Sequence, residues 1–240
     1  MSGFSAKSKL IAMKKLMVLL TLFGFLSCTM KRGSGNIIKK NFEVSNFHGI
    51  HAKEGFAVSY RKGSPSVVIE ADDNLMKQVH VDVEDGILTI GIKNISVSNS
   101  HLSAVVTGPD LDEVHVSSAS AIKLDDPITA DKIRIESSSA GSFEGSVNAP
   151  EVIIGSSSAG RVEISGMTRT LKIEASSSGK VDAAGLKSES ANVDASSAAH
   201  VKVHASVRLD AEASSGAEIR YSGGADVRSN QSSGGSVSKE

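Results

Sequence analysis

The sequence predicts an all-β chain wound into a parallel β-solenoid of about 18–21 residues per coil. Three observations carry that reading: a serine pair recurring at a near-constant period, strict apolar/polar alternation around it, and undersized residues at its centre. The pairs are Ser117-Ser118, Ser138-Ser139, Ser157-Ser158, Ser176-Ser177, Ser196-Ser197, Ser214-Ser215 and Ser232-Ser233, with first members 21, 19, 19, 20, 18 and 18 residues apart. A period near twenty residues describes stacked copies of one supersecondary unit, none of which buries its apolar side alone.

Counted from the first serine of each pair, odd and even offsets separate. Five and three residues before it stand Ile133 and Ile135, Val152 and Ile154, Leu171 and Ile173, Ala191 and Val193, Leu209 and Ala211. Five residues after it stand Ile122, Phe143, Val162, Val181, Val201, Ile219 and Val237. Even offsets are charged: Glu136, Glu174, Asp194 and Glu212 two before, and Lys123, Glu144, Glu163, Asp182, Lys202 and Arg220 six after. A period of two is that of a strand, so each copy reads as strand, tight corner, strand. Odd offsets then point inward, including the second serine of each pair and the small residue two further on, among them Gly141, Gly160 and Gly179. A pinched interior corner accounts for those small residues, because neighbouring backbone approaches there. Stacked in register, coils lie about 4.8 Å apart and equivalent side chains form columns.

In chain order, Met13–Cys28 reads MKKLMVLLTLFGFLSC: two lysines, an apolar run and a cysteine, the layout of a secretory signal. Residues 1–28 are therefore read as a signal peptide whose true start is Met13. Cys28, the only cysteine, stands where a bacterial lipoprotein carries its acylated residue, with Leu26 and Ser27 acceptable before it and Phe25 unusual. The alternatives are a transmembrane anchor or an ordinary cleaved signal, and the apolar run is shorter than the roughly 20 residues a spanning helix needs. Residues 29–40 are basic and Gly/Ser-containing and read as a flexible tether. Residues 41–240 form one domain. Within it, 41–110 supply the first coils and an N-terminal cap, with strands near 42–50, 54–61, 66–71, 79–84, 87–93 and 101–107, a helical turn at 72–77 and a hairpin turn at Asp85-Gly86. Residues 111–240 hold the serine-pair repeats, and 221–240 read as a fading last coil in which Lys239 and Glu240 discourage end-to-end growth.

The elements SSSAG at 137–141 and 156–160, SSSG at 176–179, SSG at 214–216 and SSGG at 232–235 resemble the recurring Ser-Gly-Ser-Gly element of the head GIN domain family of auto-transporter adhesins, common in envelope proteins of Bacteroidetes-type bacteria. The opening, NFEVSNFHGIHAKEGFAVSYRKG through VVIEADDNLMKQVHVDVEDGILTIGI, is similar too, and the resemblance covers roughly residues 41–240. This chain departs from the family pattern in replacing the first Gly of most elements with Ser. The resemblance implies a right-handed β-helix on a secreted or surface-attached protein and brings no catalytic residues.

Aromatic residues are only 4%, with no Trp, so a thin repeated core fits better than one large globular one. The net charge of -1, from 26 basic and 27 acidic residues, gives no footprint for nucleic acid or for an anionic membrane. His200 and His204 share a strand face about 13 Å apart, too far for one ion. His48, His51, His80, His101 and His115 form no ligand motif. Glu174, Asp194 and Glu212 form an outward carboxylate column that a divalent cation such as Ca²⁺ would relieve, although a solvated charged face also accounts for it. The serine pairs recur in equivalent settings without a G-x-S-x-G turn, which is a structural pattern. Asp72-Asp73 and Asp125-Asp126 would be the acids of a polysaccharide-cleaving β-helix, but adjacent strand residues point to opposite faces. The sequence thus points to a non-enzymatic envelope lipoprotein, attached to the outer membrane through Cys28, that binds glycan or protein or serves as a structural element, with no cofactor. The alternative is a carbohydrate-active enzyme or glycan-binding protein on the same scaffold.

Overall fold

A computed structural model of the chain describes residues 30–240 except Asn94. The signal segment and Cys28 lie outside the described residues. Strands β1 (Met30–Arg32), β2 (Ile37–Phe42), β3 (Gly49–Ala52), β4 (Ala57–Lys62), β5 (Ser66–Asp72), β6 (Val79–Glu84), β7 (Ile87–Ile92), β8 (Ser96–Ser98) and β9 (Leu102–Gly108) make the N-terminal part, with one 3-10 turn at Met76–Gln78. The stack continues through β10 (Glu113–Val116), β11 (Ala121–Leu124), β12 (Ile128–Thr129), β13 (Lys132–Ser137), β14 (Ser142–Asn148) and β15 (Glu151–Ser156). The long strands β16 (Arg161–Ala175), β17 (Lys180–Ala195) and β18 (His200–Ala213) each run from one serine corner to the next. The last coil is made by β19 (Glu218–Ser222), β20 (Asp226–Gln231) and β21 (Ser236–Lys239). From β10 onward all pairing is parallel, and equivalent positions lie one above another: Val116, Ser137, Ser156, Ala175, Ala195, Ala213 and Gln231 form one in-register column. The fold is the predicted parallel β-solenoid.

The aliphatic columns are inside. Ile135, Ile154, Ile173, Val193 and Ala211 are buried in line, as are Ile122, Phe143, Val162, Val181, Val201 and Ile219. Each fully buried branched side chain contributes about 1.5–3 kcal/mol by leaving water. Because one coil offers only a few such residues, the core is continuous only along the stack.

At the corner the structure corrects the simple alternation. Except in the last coil, where Gln231 and Ser232 are exposed, the residue before the pair is buried (as at Ser137 and Ser156) and the first serine is half-buried; the second serine is exposed throughout: Ser118, Ser139, Ser158, Ser177, Ser197, Ser215 and Ser233 all face water. These second serines and the residues after them have positive φ, as at Ser158 (50°) and Ala159 (61°). The first serine's carbonyl accepts from the N–H three residues on, as in Gly160 N to Ser157 O at 2.8 Å. Two left-handed residues inside one hydrogen-bonded turn add no net step to the pleat, so inside and outside resume with the small residue, and Gly141, Gly160 and Gly179 are buried as predicted. Successive turns also bond to one another: Ala140 N donates to Ser158 O, Ala159 N to Ser177 O and Ser178 N to Ser197 O, each at 3.0 Å. The left-handed strain at each corner is therefore offset by a backbone ladder that runs straight through the bend.

The N-terminal part departs from sequential stacking. β3 and β4 form a coil that lies between β10 and β11 on one side and β7 and β9 on the other. That coil carries an eighth corner, Lys53-Glu54-Gly55-Phe56, with positive φ at Glu54 (57°) and Gly55 (84°). Gly55 N donates to Ser118 O at 2.9 Å, the same bond that links the serine corners. The cap is antiparallel: β2 pairs with β5, β5 with β9, and β6 with β7 through the Asp85-Gly86 turn. The strand expected over 42–50 is split between β2 and β3. The segment read as a tether, 29–40, is mostly strand: β1 pairs with β8, and Asp72, Asp73 and Asn74 bind the loop between β1 and β2. At the other end, 221–240 is a paired coil, with β20 on β18 and β21 on β19.

Candidate functional site

A groove runs along the stack between the even column two residues before each corner and the row of first serines. One wall is His51, His115, Glu136, Gly155, Glu174 and Asp194, in register on successive coils. The other is the row of first serines Ser117, Ser138, Ser157, Ser176 and Ser196. The space enclosed is about 520 Å³. Gly155 has no side chain and leaves a notch midway, between Glu136 and Glu174.

At the N-terminal end of the groove the histidines meet. The rings of His51 and His115 lie 5.7 Å apart, His51 Nε2 is 3.2 Å from Ser117 Oγ, and His115 reaches Glu113 at 2.5 Å and Glu136 at 3.3 Å. Burial, then the neighbouring His115 and Lys53, push the His51 imidazole below its ordinary value. Further along, Lys172 bonds Glu174 at 2.6 Å and holds its carboxyl below the usual carboxylate range. Glu174, Asp194 and Glu212 form the expected column. Among the described residues no group of three His, Cys, Asp or Glu side chains could hold a metal ion.

The other candidate residues are spread through the framework. His200 pairs with Glu218 at 3.3 Å and His204 with Ser222 at 3.1 Å, each reaching along the axis to the next coil and not to the other. Asp72 is buried and accepts from the backbone N–H groups of His101 and Gly35, both at 2.7 Å, which lower its pKa. Asp73 accepts from Ser34 and Asn36, Asp125 from Ser59 Oγ and Asp126 from Lys62 N, so these acids fasten loops. Sequence reasoning missed His51 and His115 as a pair, because 64 residues separate them and only the interleaved first coil brings them together. Lys53 and Glu54 stand where serines mark the other corners, so the repeat left no signal there.

Fold and groove together define a β-solenoid that repeats one polar surface along its length. Residues 46–225 match the family described as "putative auto-transporter adhesin, head GIN domain", three-quarters of the sequence, and the chain belongs to that family. Among solved structures it is similar to a putative adhesin from Bacteroides fragilis, with TM-score 0.78 and 20% identity over 87% of this chain and 99% of that one. It is also similar to a putative lipid binding protein from Parabacteroides distasonis (TM-score 0.68, 18% identity, 88% and 100% covered) and to a putative adhesin from Parabacteroides merdae (0.68, 18%, 88% and 99%). At these identities the likeness shows the fold. No curated protein matches.

Proposed function

We propose that the protein is a non-enzymatic binding module of the cell envelope, held at the outer membrane by a lipid on Cys28, and that the axial groove is its contact surface. The observation that carries this is the pair of in-register columns, serine hydroxyls facing carboxylates and imidazoles, open to solvent along several coils. Carboxylates and hydroxyls accept hydrogen bonds, so the complementary ligand is rich in donors: a glycan chain carrying hydroxyl and amine groups. With no Phe, Tyr or Trp among the groove's lining residues, hydrogen bonds supply the contact, and affinity accumulates from repeated weak engagement.

Two points speak for binding over hydrolysis. A glycosidase needs one carboxyl with a raised pKa as general acid, whereas the Lys172 contact moves Glu174 the other way. The groove serines also recur in equivalent settings, and the family and two of the three similar structures are described as putative adhesins. The test has two arms. Radiolabelled palmitate should enter the wild-type chain and not Cys28→Ser. A glycan array should give binding that the double variant Glu174→Arg/Asp194→Arg reduces at least tenfold with its thermal midpoint unchanged. Turnover of any bound glycan, or equal binding by the variant, refutes the groove reading.

A further inference from the structure

Only Thr29 separates Cys28 from β1, because the presumed tether is folded into the cap. Two residues of extended chain reach about 7 Å. If Cys28 carries the lipid, as proposed above and on which this inference rests, the domain cannot swing free; its N-terminal end is held at the bilayer surface.

That end is built unlike the rest of the surface. Among the described residues the exposed large apolar side chains are Met30 (67%), Ile37 (41%), Ile38 (38%), Met167 and Val207, and three of these five lie within nine residues of one another in the cap. Adjacent residues on a strand point to opposite faces, so exposure of both Ile37 and Ile38 leaves both faces of β2 open at its start, while Phe42 at its end packs on the core. Among the described residues β2 pairs with β5 alone, which makes it an edge strand. An uncovered apolar edge strand is a liability in water unless something shields it. Residues 30–42 also contain Lys31, Arg32, Lys39 and Lys40 and no acid of their own, while Glu70, Asp72 and Asp73 pack against them from β5 and the turn after it. Lys39 pairs with Glu70, Lys40 lies over the Phe42 ring at 4.5 Å, and Lys31 donates to Asn74 O.

We infer that β1 and β2 form a membrane-contact surface: Met30, Ile37 and Ile38 enter the headgroup boundary of an anionic bilayer while the four cations meet its phosphates. Apolar side chains ringed by Lys and Arg are the composition of an interfacial element, and a basic patch is the usual second signal beside a lipid chain. The occupant is a lipid surface because the position of the anchor selects it; the four cations outnumber the three acids packed against this segment, Glu70, Asp72 and Asp73, by one. The solenoid then stands on the bilayer cap-first, with the groove leading away from it.

The test is hydrogen exchange on the full lipidated chain, purified from membranes and reconstituted into vesicles. Backbone amides of Ile37–Phe42 should exchange about tenfold more slowly in vesicles containing phosphatidylglycerol than in pure phosphatidylcholine. Ile37→Asp/Ile38→Asp and Lys39→Glu/Lys40→Glu should abolish the difference, while amides of β15 stay unchanged. Equal exchange in both vesicles overturns the inference. So does protection that rises with protein density, which would mean that a second copy covers β2. If mass spectrometry finds no acyl chain on Cys28, the anchor reading fails by itself; the same chain added to anionic vesicles should still co-sediment and be released by salt, and lack of co-sedimentation overturns the membrane surface independently.

Discussion

The α-carbon of Gly160 lies directly against the carbonyl of Ser137 on the preceding coil, leaving no room there for a Cβ. The same relation holds between Gly179 and Ser156, and between Gly141 and Val116, whose carbonyl would be 2.5 Å from an added Cβ. Below Ala175 and Ala195 the corner residue is alanine, Ala199 and Ala217, and below Ala213 it is glycine again, Gly235. Glycine or alanine at this place on successive coils therefore keeps the corner ladder closed.

Gly160→Val should accordingly destabilise the fold by about 3 kcal/mol, because the obstacle is backbone. The neighbouring Arg161 is exposed, and Arg161→Val should change little. Thermal unfolding separates them, with the midpoint of Gly160→Val lower by roughly 5–10 °C. Equal midpoints would contradict the placement of Gly160 inside.

The second serine of a pair is outside and left-handed. Ser158, at φ 50°, should not accept a β-branched side chain, and Ser158→Val should cost about 1–2 kcal/mol. Ser157, outside the left-handed region, should tolerate the same change. Alternation alone places Ser158 inward in the pinched corner, whereas it is exposed, so an unchanged midpoint for Ser158→Val would remove the left-handed backbone as the constraint.

His51 should titrate below its ordinary value, chiefly through burial and then through His115. Its folded pKa is lowered, so the unfolded chain binds more protons between that value and about 6.5, and stability rises with pH across this window. His51 therefore contributes a loss of stability as pH falls below about 6.5. Nuclear magnetic resonance titration of the imidazole should show the low value, and His115→Asn should raise it. An unchanged His51 pKa in that variant would remove the contact between the rings as a cause.

Asp194 stands between Glu174 and Glu212, with like charges one coil away on each side. Asp194→Asn should stabilise by about 0.5 kcal/mol at low ionic strength. The gain should fade in molar salt, which screens exposed charges. A gain independent of salt would point to packing instead.

Much of this was legible before folding. Seven serine pairs at a near-constant spacing fixed the coil length, and the alternation around them identified Ile135, Ile154 and Ile173 as interior, because apolar burial acts on every coil alike. The corner was legible only in part. Alternation counts residues, and the consecutive left-handed pair at Ser158 and Ala159 turns Ser158 outward while leaving the count on either side in phase, with no mark in side-chain chemistry. The coil at Gly49–Lys62 escaped for a related reason: Lys53 and Glu54 replace the serines, and the turn needs a backbone conformation that those residue types do not advertise.

By itself, then, the sequence determined a stack of coils, its period, its buried columns and its outward charge, since these follow from local periodicity and the removal of apolar surface from water. Only the tertiary structure decided which coils are neighbours. It inserted β3 and β4 between strands that come later in the chain, so placing His51 against His115 and Ser117, and it drew residues 30–42 into the cap. Those choices depend on backbone hydrogen bonds between segments far apart in sequence, and such bonds are indifferent to the side chains from which a sequence is read.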